Sequence, residues 1–319
     1  MEIIRILKES NPKRALVFGI GGGGDIVATI PTANLLRDFG FEVFHGSIVW
    51  DRLVIDPKPG PRSIEELENI EIFNEVIAIA NENTKTYYGV IPTVARAAKF
   101  FGEVVALDIT KGAKKLSKGI AEFADDSGIS LIFGIDSGGD AIAIGYESGV
   151  KSPLADSLSV AALSDLNAIV GVFGFGSDGE LKIEELLLNM SELIKRGSFL
   201  GCSSMSKRDY EQMIEITKFV VTEASKIPIM AYEGEFGIKK IRKSRTVLIS
   251  PLSTLTFYFD SRGVFEINDA AKIVRDARDI EEANKLLNKS GILTELDYER
   301  AVSSSGDRYV CEDKGSGCS

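Results

Sequence analysis

The chain has 319 residues, 44% hydrophobic and 26% charged, enough to bury a sizeable core as one large α/β domain or two smaller ones. Its formal net charge of -10 excludes broad, non-specific contact with nucleic acid, because nothing extended would neutralise phosphates. No apolar run reaches the roughly 18 residues of a membrane span, and the first residues carry an acid and do not read as a signal peptide. Three cysteines, Cys202, Cys311 and Cys318, fit a reducing cytoplasm with free thiols. A Cys311–Cys318 bridge stays open.

Residues 2–9 form a short amphipathic helical segment, broken at Asn11-Pro12. Residues 14–20 are mostly apolar and run into Gly21-Gly22-Gly23-Gly24, the pattern of a strand buried on both faces in a parallel sheet. Pro31 cannot sit deep in a helix, so the next helix is expected to start near Thr29 and to end at Gly40. Residues 41–50 supply a second strand and complete a βαβ unit. Pro57, Pro59 and Pro61 make the following stretch extended, and Ser63 with the acids after it predicts a short helix over 63–72. Strands are expected at 75–80 and 103–108, and helices at 93–101 and 113–125. A second strand–glycine unit begins at Ser130, followed by a helix from Pro153 and a strand over 167–175. Helices are expected over 180–196 and 206–225, strands over 227–232 and 245–249, a hairpin over 255–267 turning at Ser261-Arg262-Gly263, and two helices over 268–289. The basic run 239–245 reads as a solvated loop or an anion-facing one.

The fold class expected is α/β: a Rossmann-like three-layer sandwich with a mostly parallel sheet and a C-terminal α+β extension. Residues 1–300 are read as a single domain, with glycine-loop units at 14–50 and 130–176 and the extension at 180–300. Residues 301–319, rich in Ser, Gly and charge, read as a flexible tail.

Gly19-Ile20-Gly21-Gly22-Gly23-Gly24 satisfies G-x-G-x-x-G between a strand and a helix, where backbone N–H groups can approach a phosphate. Asp25, directly after the loop, would repel a bare phosphate unless a cation intervenes. Asp140 holds the same place after Gly138 and Gly139 in the second loop, and Asp136 adds another acid. Such carboxylates suit a Mg²⁺-bridged phosphate, a sugar hydroxyl or an amine. The alternative is that each Asp caps its helix start, although one cap needs only one acid. Both loops, Asp108 and Asp178 follow strands and are expected to gather at one sheet edge, with Glu147, Ser152 and Asp156 lining the same crevice. Asp136 and Asp140 are therefore the expected catalytic residues. Gly19, Gly21, Gly22, Gly23, Gly24, Asp25, Gly138, Gly139, Ser152, Asp156 and Asp178 are expected to bind the cofactor, with Asp25 and Asp140 as metal ligands. His45, the single histidine, lies in a strand and reads as a packed structural residue, which argues against Ser-His-Asp or His-metal catalysis. Trp50 either stacks on a ligand or packs in the core or an interface.

Gly21–Asp25, Trp50-Asp51-Arg52, Pro57–Pro61, Gly134–Asp140, Ser152–Asp156 and Gly174–Glu180 together resemble the mostly archaeal family filed as domain of unknown function 1152. The resemblance spans residue 15 to about residue 290. It implies a Rossmann-like α/β protein and brings no activity with it. The leading expectation is an enzyme or binder of a phosphorylated or nucleotide-like small molecule, with Mg²⁺ and a nucleotide or sugar phosphate as the cofactors it admits. A non-catalytic nucleotide sensor and a metal-independent lyase or cyclase are the alternatives. The partner expected is a small-molecule ligand, not nucleic acid or membrane, and a homo-oligomer stays open.

Overall fold

A computed structural model describes residues 1–147, 149–241 and 245–305. From residue 306 the expected tail, with Cys311 and Cys318, lies outside the described residues, as do residues 242–244 of the basic run. In chain order the first half comprises α1 (Glu2–Glu9), β1 (Arg14–Gly19), α2 (Thr29–Asp38), β2 (Glu42–Ile48), β3 (Leu67–Ile72), β4 (Ile77–Thr86), α3 (Thr93–Phe101), β5 (Val104–Leu107), α4 (Ala113–Asp126) and β6 (Leu131–Ser137). Then follow α5 (Pro153–Ser164), β7 (Ala168–Phe173), α6 (Ile183–Lys195), β8 (Phe199–Ser204), α7 (Lys207–Ile216), α8 (Lys226–Tyr232), β9 (Gly237–Ile241) and β10 (Arg245–Ile249). The chain continues through β11 (Leu255–Asp260), α9 (Ser261–Ile267), α10 (Asp269–Val274), α11 (Ile280–Lys289) and α12 (Glu295–Ser305).

One sheet runs in the order β3-β4-β5-β2-β1-β6-β7-β11-β8, and β9 and β10 form a separate ribbon. Only the middle, β5-β2-β1-β6-β7, is parallel. Both flanks are antiparallel, and with the β9–β10 ribbon five of the nine strand pairings among the described residues are antiparallel. The expected mostly parallel, Rossmann-like sheet is thereby corrected to a large mixed α/β sheet. The physical reason lies at the edges. β3 and β4 meet through a tight connection rather than a crossover helix, and β11 inserts between β7 and β8 with the opposite sense.

Four local expectations fail with it, the first being the helix expected over 206–225, which ends at Ile216. Ser63 and Glu66 do form a reciprocal cap, but it serves a single 3-10 turn before the chain becomes β3. β11 is paired on both sides, so it cannot fold back as a hairpin. Instead Asp260 accepts hydrogen bonds from the N–H groups of Arg262 and Gly263 and starts α9. Gly263 sits so close to Ser198 that an added Cβ would lie 1.9 Å from its hydroxyl oxygen. Residues 227–232, expected as a strand, belong to α8.

Apolar side chains cover both faces of the sheet. Leu16, Phe18, Ile132 and Val170 pack with α4, α5 and the C-terminal helices, while Val17, Phe133 and Ile135 pack with α1, α2, α3 and α7. All seven residues of β6 and all six of β7 are buried, as strands covered on both faces require. Among the described residues, no helix is long and apolar enough to cross a membrane.

His45 is packed, as expected. It stacks on Phe101 with ring centroids 3.8 Å apart. Arg37 donates to its Nε2 at 2.9 Å, which assigns the proton to Nδ1, 3.1 Å from the Thr29 hydroxyl oxygen. Burial, reinforced by the Arg37 charge, pushes the pKa of His45 down to about 3. The unfolded chain takes up a proton below pH about 6.5 and the folded one resists it. This contribution to stability is therefore complete above pH about 6.5 and lost as pH falls toward 3, amounting to about 2 kcal/mol by pH 5. Urea midpoints of His45→Gln, measured from pH 7 to 4.5, should fall less steeply with acid than those of the parent. Parallel curves would refute this assignment.

Candidate functional site

Both glycine loops leave the carboxyl ends of neighbouring parallel strands, with Gly19 of β1 opposite Ile135 of β6. From β1 the chain runs through α2 on one face to β2. From β6 it runs through α5 on the other face to β7. The direction of winding thus reverses between β1 and β6, the position at which open α/β sheets characteristically take their ligands. Each unit repeats strand, glycine loop, 3-10 turn and helix, the turns being Gly23–Ala28 and Asp140–Ile142.

Asp136, Asp140 and Asp156 converge there, each offering a carboxylate oxygen within 4.8 Å of the other two. They come from the end of β6, the turn after it and the first turn of α5, and are 1%, 7% and 2% exposed. The Ala141 N–H donates to Asp136 at 3.3 Å. Among the described residues, neither oxygen of Asp156 has a hydrogen-bond partner. Burial pushes all three pKa values well up. The charges of Asp25 and Asp178 add to the effect on Asp136, those of Asp156 and Glu180 on Asp140, and those of Asp136 and Asp25 on Asp156. The hydroxyls of Ser137 and Ser177, next in sequence to Asp136 and Asp178, are also buried without a hydrogen-bond partner among the described residues.

The glycines make room for these acids. A Cβ on Gly21 would lie 2.7 Å from Asp25 Oδ2 and 2.9 Å from Asp156 Oδ1. One on Gly138, where φ is +126°, would lie 2.0 Å from Asp178 Oδ2. The Gly21 N–H donates to Asp25 at 2.8 Å and the Gly23 N–H to the Trp50 carbonyl at 3.0 Å, so two expected phosphate donors are engaged within the protein. Gly19 lies against the backbone of Asp25, the Gly22 carbonyl accepts from the Asp25 N–H, Gly24 packs near Thr222, and Gly139 packs against Leu186. Asp25 stands beside the triad rather than within it, as a bond acceptor for its own loop.

Asp178 accepts from the Glu180 N–H at 2.8 Å. Glu180 is a site residue that sequence reasoning missed. It accepts from the Ser152 N–H and hydroxyl, both at 3.0 Å, and from Arg245 at 2.9 Å. Burial raises its pKa, but Arg245 and these donors prevail and hold it below the usual range. Arg52, also missed, has its guanidinium 5.3 Å from the Trp50 ring centroid. Burial would lower its pKa, yet Glu295, Glu299, Glu180 and Asp156 together raise it. Glu295 and Glu299 reach in from α12. Burial pushes Glu295 up to about 7, against the opposing pull of Arg52 and the amides it caps.

Other expected residues serve elsewhere. Asp108 accepts from the Ile64 and Thr110 N–H groups and braces the turn after Ser63, and burial raises its pKa to about 6. Glu147 accepts from the Ile144 and Gly145 N–H groups. Trp50 is buried, with its indole N–H donating to Glu299, so it is no exposed stacking wall. Surface hollows of about 430 Å³ beside Arg262 and Arg275, and about 260 Å³ beside Asn189 and Lys272, share no residue with the acidic cluster.

No curated protein and no solved structure matches the chain. Residues 16–303 match the family described as protein of unknown function (DUF1152), which covers most of the chain, and the protein belongs to that family.

Proposed function

We propose that Asp136, Asp140 and Asp156 hold a divalent cation of the Mg²⁺ class, and that the cation draws the phosphate of a small phosphorylated or nucleotide-like ligand to the junction of the glycine loops. The carrying observation is Asp156, buried with both oxygens lacking a hydrogen-bond partner among the described residues. A buried carboxylate without donors is costly, and a bound cation would both neutralise it and occupy the lone pairs that no donor meets. An ion bound at about 2.0–2.6 Å spans ligand oxygens up to about 4–5 Å apart, in keeping with the spacing here. Mg²⁺ characteristically takes one or two carboxylates and fills the rest of its shell with water and substrate phosphate. Arg52, at the rim of the centre, supplies the positive charge that would meet the remaining phosphate oxygens.

The test is titration with Mn²⁺, read by electron paramagnetic resonance, with Mg²⁺ as competitor. One ion should bind with a Kd below about 1 mM, and ADP or a sugar phosphate should bind at least about tenfold more tightly with the metal present than without it. Failure of Mn²⁺ to bind in the millimolar range would end the proposal.

A further inference from the structure

Five nitrogen donors from separate parts of the chain converge on two carboxylates of one helix. The N–H groups of Leu154 and Ala155, in the first turn of α5, donate to Glu295 at 3.1 and 2.9 Å. The Trp50 indole N–H at 3.1 Å, the Gly60 N–H at 2.8 Å and Arg52 at 3.4 Å donate to Glu299. Arg52 also reaches the Gly21 carbonyl at 3.4 Å, so this donor set adjoins the first glycine loop. A helix N-terminus, an indole N–H and a guanidinium form an anion-receiving surface. Here α12 fills it from within the same chain.

α12 is weakly anchored by apolar contact. Its buried residues are Glu295, Leu296 and Glu299, so one leucine is its single fully buried apolar side chain, with Val302 half-buried. Tyr298 is 59% exposed, and Leu293, just before the helix, is 78% exposed. The connection from α11 contains Gly291 at φ +81°, a glycine swivel. α11 holds the strap by polar contacts, Asn284 to Asp297 at 2.8 Å and Arg300 to Glu281. An element held by acids and surface pairs opens locally at lower cost than one held by a core.

We propose that α12 is an autoinhibitory strap: its Glu295 and Glu299 carboxylates stand in for the anionic group of the ligand, and a phosphate-bearing ligand releases the strap by taking their donors. The proposal rests on the reading of the centre as a metal–phosphate site.

Hydrogen–deuterium exchange on the full chain tests the strap without metal. Amides of 295–305 are compared in chloride and in inorganic phosphate at equal ionic strength. Phosphate should speed their exchange at least about tenfold while α4 and β6 stay unchanged. Glu295→Gln with Glu299→Gln should show fast exchange in that segment already in chloride. Unchanged or slower exchange of 295–305 in phosphate overturns the strap, and so does a folded double variant that exchanges like the parent. Should the variant not fold, the parent chain alone decides. Loss of the metal reading would appear in Mn²⁺ binding and leave this metal-free comparison intact.

Discussion

Asp156→Asn is expected to stabilise the metal-free protein by about 1–3 kcal/mol and to abolish the stabilisation that Mg²⁺ confers. The residue is buried on α5 among Asp136, Asp140 and Asp25, and neither oxygen accepts a hydrogen bond among the described residues. An amide of the same shape removes a like charge and brings two donors to neighbours that are all acceptors. The parent should gain about 2.7 kcal/mol at a Mg²⁺ concentration 100 times its Kd, whereas the variant should gain almost nothing. Thermal melts with and without 10-fold steps of Mg²⁺ separate the two effects. A variant less stable than the parent in chelator would mean that Asp156 holds the fold together rather than a cation.

Gly138→Ala is expected to cost about 2–4 kcal/mol, and more than Gly40→Ala. Both glycines have positive φ, at +126° and +84°, so backbone strain is common to the pair. At Gly40 nothing lies within 4 Å of an added Cβ, whereas at Gly138 it would meet Asp178 Oδ2 at 2.0 Å and Cγ at 2.3 Å. Asp178 must then move, and with it the bond it accepts from the Glu180 N–H. Chemical denaturation gives the stability, and Mn²⁺ titration reports whether the centre survives. Equal losses at the two positions would show that φ alone matters and that the close approach to Asp178 is incidental.

Much of the site was legible from local pattern. An apolar run, glycines and an acid mark a strand end, a sharp turn and a helix start, because each feature depends on a few consecutive residues. That reasoning located both loops and the acids Asp136, Asp140 and Asp156. It also placed Pro31 in the first turn of α2 and His45 in a packed strand. The pattern could not say which neighbour an absent side chain makes room for. At Gly21 that neighbour is the pair Asp25 and Asp156.

The chain by itself determined that two glycine-turn units end in acids, since local steric limits and hydrophobic period are written into adjacent residues. Only the tertiary structure decided three matters. The first is the sheet, where β3, β4, β8 and β11 join antiparallel, because pairing sense depends on partners distant in sequence. The second is the identity of the triad, in which Asp156 of α5 joins the second-loop acids Asp136 and Asp140 with carboxylate oxygens within 4.8 Å of one another. The third is α12, which is not expected as a helix from the sequence and whose last residues, 301–305, fall in the expected flexible tail; packing turns Glu295 and Glu299 inward onto Trp50, Arg52 and the start of α5. A charge is read as surface or site by what surrounds it, and those surroundings are assembled from segments more than 100 residues apart.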